Sequence, residues 1–193
     1  KSAGTILALS GHDILMTKSG SLGPIDAQVR IGRSIVSAYD YMDWINEKRT
    51  EALKKGTINP IDATIVAQIS PGEVKLVDHA KNFALDLVKG WLPKYKFGSW
   101  VTTETRGIPV TETMKNDAAL RVATKLVNHA DWRTHGRSIK SKDLEEIGLR
   151  VTNLDEDSVV ADIVYRIQTV TRLLFASTTQ YKVFVCADQK IFK

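Results

Sequence analysis

Apolar positions recur along this chain at helical spacing in most segments and in short unbroken runs in a few, and the alternation marks its elements. Ser2 to Ser10 holds Ile6, Leu7 and Leu9 among small residues and predicts a helix, Asp13 to Thr17 predicts a short strand, and Lys18 to Gly23 is a turn-rich connection. From Ile31, the positions Ile35, Ala38, Tyr39, Met42, Ile45 and Leu53 recur at three- and four-residue intervals, predicting an amphipathic helix that ends near Gly56. Pro60-Ile61-Asp62 opens another helical region. After Ser70-Pro71-Gly72-Glu73, the residues Val74, Val77, Ala80, Ala84, Leu85 and Val88 form the apolar stripe of a helix reaching about Trp91. Pro93 to Pro109 reads as an irregular connection or lid. Thr111 with Glu112 then opens a helix through Ala118, Val122 and Leu126 toward His129, and Ser141 starts a short helix that stops at Gly148. Val151 to Leu154 predicts a strand, Asp155 to Ala176 the longest helix, and Gln180 to Cys186 the last strand. With no internal repeat, low-complexity segment or linker, the pattern predicts one domain over residues 1–193, interrupted by a mainly helical insertion over residues 31–116.

Composition narrows the class. Hydrophobic residues make up 43% and charged residues 25% of 193, and mean hydropathy is −0.15, values of an ordered globular chain able to bury one sizeable core. The single cysteine, Cys186, excludes an intrachain disulfide and fits a reducing compartment; within Val183-Phe184-Val185-Cys186 it is expected to be a small buried apolar residue. Net charge is +5 and dispersed, which raises nucleic-acid binding only slightly, and no nucleic-acid partner is expected. The near-apolar stretch from Ile163 to Ala176 is broken by Arg166, Gln168 and Arg172, so it cannot span a bilayer. His12, His79 and His129 lack paired ligand spacing, and Gly4, Gly11, Gly20 and Gly23 form no phosphate loop, so neither a metal nor a cofactor is expected. Trp91 to Trp100 interleaves aromatics with Lys94 and Lys96; this pattern can stack bases, but anchoring of a loop on the core is the stronger reading.

Catalytic chemistry is suggested first at Ser2. A serine followed by Ala3-Gly4 and then Thr5-Ile6-Leu7-Ala8-Leu9 sits at a helix start, where unpaired N–H groups and the positive dipole end favour a developing oxyanion. Taken alone, the tetrapeptide reads as a helix cap. The order Ser2-Ala3-Gly4-Thr5, apolar helix, Asp13-Ile14-Leu15-Met16, then Leu22-Gly23-Pro24-Ile25-Asp26-Ala27-Gln28 resembles the nucleophile region of the Clp peptidase/crotonase fold, and most closely the serine dehydrogenase proteinase family, related to signal peptide peptidase A. A second stretch, Trp132-Arg133-Thr134-His135-Gly136-Arg137-Ser138-Ile139 followed by Leu144-Glu145-Glu146-Ile147-Gly148-Leu149, resembles that family's Thr-His motif and its following Gly-Leu. Ala27 departs from the proline common after the family's aspartate.

The resemblance implies an α/β fold of Clp peptidase/crotonase type and a serine peptidase with Ser2 as nucleophile, Asp26 as orienter and His135 as base, the triad order being immaterial to the chemistry. It implies peptide or protein substrates, a homo-oligomer and a cytoplasmic location. It also implies that these residues are the C-terminal part of a catalytic unit whose preceding strand and Gly-Gly turn complete the oxyanion hole, and that any membrane association would come from preceding residues. A Ser-Lys dyad is the second reading, with Lys48, Lys54 or Lys55 as base, although the charged run from Glu47 to Lys55 looks solvated. A non-catalytic assembly protein and, less strongly, an acyl-thioester enzyme are the competing classes.

Overall fold

The computed structural model describes residues 2–132 and 136–193, apart from the side chains of His129 and Ala130. The chain forms two compact units, one of residues 1–14 and 20–152, the other of residues 15–19 and 153–193.

In the first unit, α1 (Ser2–Ser10) buries Thr5 and Leu9. The chain then reaches an antiparallel hairpin, β2 (Gln28–Ile31) and β3 (Ser34–Ser37), in which Val29 faces Val36 and Arg30 faces Ile35. This hairpin replaces the first turns of the helix expected from Ile31. Ile31, Ile35 and Val36 are β-branched, and Gly32 takes φ +56°, so a tight turn joins two strands where three- and four-residue spacing alone suggested a continuous helix. The helix itself is α2 (Ala38–Lys55), opened by the Ser37 hydroxyl, which accepts from the N–H groups of Tyr39 and Asp40, and closed by Gly56 at φ +73°.

Next come α3 (Pro60–Val66), capped by Asn59, and α4 (Pro71–Trp91), capped by Ser70. At 21 residues α4 is longer than any other described helix, a place expected for the segment after Asp155. It runs into a π-helical turn over Leu92–Lys96. A narrow ribbon follows, in which Thr103 N–H donates to the Ile108 carbonyl and Val110 N–H to the Val101 carbonyl. Thr111 caps α5 (Glu112–Val127), whose Ala118, Ala119, Val122, Ala123, Leu126 and Val127 are buried. With Val77, Val88, Leu92, Ile139, Leu144 and Leu149 they provide much of the buried apolar core. The short helices α6 (His129–Trp132) and α7 (Ser141–Glu146) complete the unit, and Gly148 at φ +98° ends the last turn.

The second unit contains β1 (Leu15–Met16), and β4 (Thr152–Asn153) stands where the chain passes into it. Asp157 caps α8 (Ser158–Ser177) with its carboxylate on the Val159 and Val160 N–H groups, so this helix begins three residues later than expected, after a 3-10 turn over Leu154–Glu156. The expected last strand is the shorter β5 (Val183–Val185), and it pairs antiparallel with a strand not expected, β6 (Lys190–Phe192). Cys186 is exposed rather than buried, because it lies in the connecting turn, where its N–H donates to the Gln189 carbonyl.

Candidate active site

The sequence-predicted nucleophile and carboxylate meet at one cavity. Ser2 is the first residue of α1, whose opening N–H groups have no acceptor within the helix. One turn on, the buried Thr5 hydroxyl donates to the Gly23 carbonyl at 2.8 Å and accepts from the Gly23 N–H at 2.9 Å. That reciprocal pair ties the start of α1 to the segment running through Pro24 and Ile25 into Asp26. The segment is held on its other side as well. Ile25 N–H donates to the Leu126 carbonyl at 2.9 Å, and Leu22 and Ile139 exchange both backbone hydrogen bonds at 3.0 Å.

Ser2 and Asp26 therefore line a single cavity of about 260 Å³, with Ile6, Ile25, Ala80 and Phe83 among its walls. Asp26 is 2% exposed, and both its carboxylate oxygens are engaged: Ser37 Oγ donates to Oδ1 at 2.8 Å and Gln28 Nε2 to Oδ2 at 2.7 Å. These partners escape sequence reading, although Gln28 stands two residues from Asp26 and Ser37 ends a strand at a helix start. A buried carboxylate needs such donors, since burial without them is costly. His135, the predicted base, lies outside the described residues. Its described neighbours are anchored: Trp132 is buried and donates from Nε1 to the Lys125 carbonyl at 2.6 Å, and Ile139 pairs with Leu22.

None of the three lysines of the second reading lines this cavity. Lys48 is drawn to Asp62 at 2.8 Å, Glu51 at 3.3 Å and Glu47 at 3.7 Å. The hydrogen bond to Asp62 comes first among the influences that hold its ammonium charged well above the usual lysine range. Lys55 pairs with Glu51 at 3.0 Å and Lys54 is exposed. A dyad base must be neutral to accept a proton, and the carboxylates around Lys48 favour the opposite state.

A second, larger cleft of about 1570 Å³ belongs to the same unit and is lined in part by Tyr95, Lys96, Trp100, Met114, Arg121 and Leu149. Within the aromatic-lysine segment, Leu92 and Phe97 are buried, and His12 meets the Tyr95 ring edge-on at 5.7 Å. Among the described residues no three His, Cys, Asp or Glu side chains converge as metal ligands, and no helix is long and apolar enough to cross a membrane. Compared with family models, with curated proteins and with solved structures, the chain matches none.

Proposed function

We propose that the chain carries the site of a serine peptidase, in which Ser2 attacks the peptide carbonyl, His135 takes the hydroxyl proton and Asp26 orients the imidazole. The observation that carries this reading is the meeting of Ser2 and buried Asp26 at one cavity, although they arrive on separate segments. The anchored neighbours of His135 support it, because Ile139 pairs with Leu22, in the segment that delivers Asp26. In the acylation step the serine oxygen bonds the acyl carbon, its proton passes to the imidazole, and that proton leaves with the amine as the C–N bond breaks. Water then hydrolyses the ester by the same proton path. The first-turn N–H groups of α1 are suited to a developing oxyanion. The same residue pattern supports the Clp peptidase/crotonase type of α/β fold, membership of the serine dehydrogenase proteinase family, and peptides or proteins as substrates. The single Cys186, exposed and unpaired, accords with a reducing cytoplasm.

The second reading is a non-catalytic protein in which Asp26 is structural. It is favoured by the two hydrogen bonds that use both carboxylate oxygens to brace Ser37 and Gln28. Fluorophosphonate labelling of the intact protein separates the two. Catalysis predicts labelling that disappears in Ser2→Ala, together with peptidase turnover that falls by orders of magnitude in His135→Ala and is retained in Lys48→Ala. Absence of labelling in the folded wild-type protein would overturn the serine mechanism and leave the non-catalytic reading, and loss of turnover in Lys48→Ala alone would establish the dyad.

A further inference from the structure

The larger cleft of the first unit shares no lining residue with the Ser2–Asp26 cavity. At about 1570 Å³ it exceeds the roughly 300–1,000 Å³ of small-molecule pockets. One arm of the narrow ribbon forms part of its wall. Thr102 stands opposite Pro109, and the hydrogen bonds of the ribbon on either side of that pair use Val101 and Thr103. In such an antiparallel pair the N–H and carbonyl of the middle residue, Thr102, point away from the partner strand. Among the described residues neither group has a hydrogen-bond partner, and the same is true of the Trp100 carbonyl before it and the Glu104 N–H after it. Trp100, Thr102 and Glu104 all line the cleft. Acceptor and donor therefore alternate along a free strand edge.

We infer that this cleft is a docking site for an extended acidic peptide segment, which adds as a strand to the Thr102 edge. Main-chain groups spaced along a strand edge are matched by a second main chain, and neighbouring apolar walls then select its alternate side chains. Trp100, whose ring leans on that of buried Phe97 at 6.0 Å, supplies such a wall with Met114 and Leu149. Charge sets the preference for acidic segments. In the cleft Arg150 is paired with Glu104, and Lys96 donates to the Gly11 carbonyl in the field of Asp13. Lys94 and Arg121 have no carboxylate partner among the described residues, against the one unpaired carboxylate of Glu145. An unpaired guanidinium is suited to hold a carboxylate through two parallel hydrogen bonds. A nucleic acid fits less well, because an excess of one positive charge is small against a phosphate at every nucleotide, and its backbone offers no partner to the Thr102 edge. The inference holds whether or not Ser2 is catalytic.

Fluorescence anisotropy of the intact chain with a pool of labelled, terminally blocked heptapeptides, in which apolar residues alternate with glutamate, tests it. Binding is expected to be equal in the wild-type protein and in Ser2→Ala, and to be lost when alternate peptide amides are N-methylated. Thr102→Pro removes the free N–H without touching a bond of the ribbon, and is expected to weaken binding about fivefold. Arg121→Gln is expected to weaken it about tenfold, as is lysine in place of glutamate in the peptides. Should Thr102→Pro not fold, the N-methylated pool reads the same main-chain bonds on the unaltered protein. Absence of binding up to about 1 mM overturns the proposal, as do equal binding of the N-methylated pool and equal or tighter binding of the lysine pool. Binding lost in folded Ser2→Ala would overturn it in favour of the Ser2–Asp26 cavity.

Discussion

Two lysines of the first unit sit in opposite electrostatic settings. Lys48 is surrounded by Asp62, Glu51 and Glu47, which stabilise its charge, whereas Lys96 is half-buried with its ammonium donating to the Gly11 carbonyl at 2.6 Å. Burial is the larger influence on Lys96 and lowers its pKa from 10.5, partly offset by the carboxylate of Asp13. The sign of the stability effect follows from proton counting. Between the lowered folded value and 10.5 the unfolded chain binds more protons at this site than the folded chain, so this group makes stability rise with pH across that interval. Denaturant unfolding over the alkaline range is expected to show that rise in the wild-type protein and a smaller one in Lys96→Met. Equal slopes in the two proteins would mean that Lys96 is solvated in the folded state.

At the scale of elements, Ser37 serves two structures at once. Its hydroxyl oxygen accepts from the N–H groups of Tyr39 and Asp40 to open α2, and its proton goes to Asp26. Ser70 opens α4 through a single bond from the Glu73 N–H and is exposed. Loss of a cap costs about 1 kcal/mol, and stripping a buried carboxylate of a donor costs a further ~1–3 kcal/mol. Ser37→Ala is therefore expected to destabilise the protein by roughly 2–4 kcal/mol and Ser70→Ala by about 1 kcal/mol, measured as shifts in the urea midpoint at constant slope. Matching losses in the two variants would show that Asp26 draws little from Ser37. The comparison also shows what the sequence made legible. Helices with a strong stripe and a capping residue, such as α4 after Ser70 and α5 after Thr111, were readable because local spacing and local capping coincide. The β2–β3 hairpin was not, because Ile31, Ile35, Ala38 and Met42 fit helical spacing, and only the left-handed conformation at Gly32 breaks it. Ser2 and Asp26 could be singled out as residue types. Their convergence depends on the Thr5–Gly23 pair and on the backbone bonds of Leu22 and Ile25, which no local pattern encodes.

For the whole molecule, burial is distributed unevenly between the two units. The first contains the buried faces of α4 and α5 along with Leu92, Ile139, Leu144 and Leu149, whereas the buried described residues of the second are Met16, Thr17 and Ala161. A 20-residue helix with one buried residue draws little stability from its own unit, since most helical stability in proteins comes from packing an apolar face. The stripe through Ile163, Ile167 and Val170 is exposed and adds no packing to it. Few buried apolar contacts hold α8 in place, and such segments are the first to open. Hydrogen exchange followed by mass spectrometry reads this directly. Protection of α8 amides is expected to be weaker than that of α5 amides, which the core of the first unit fixes. Protection of α8 equal to that of α5 would mean that the second unit supports its helix despite its single buried residue, Ala161.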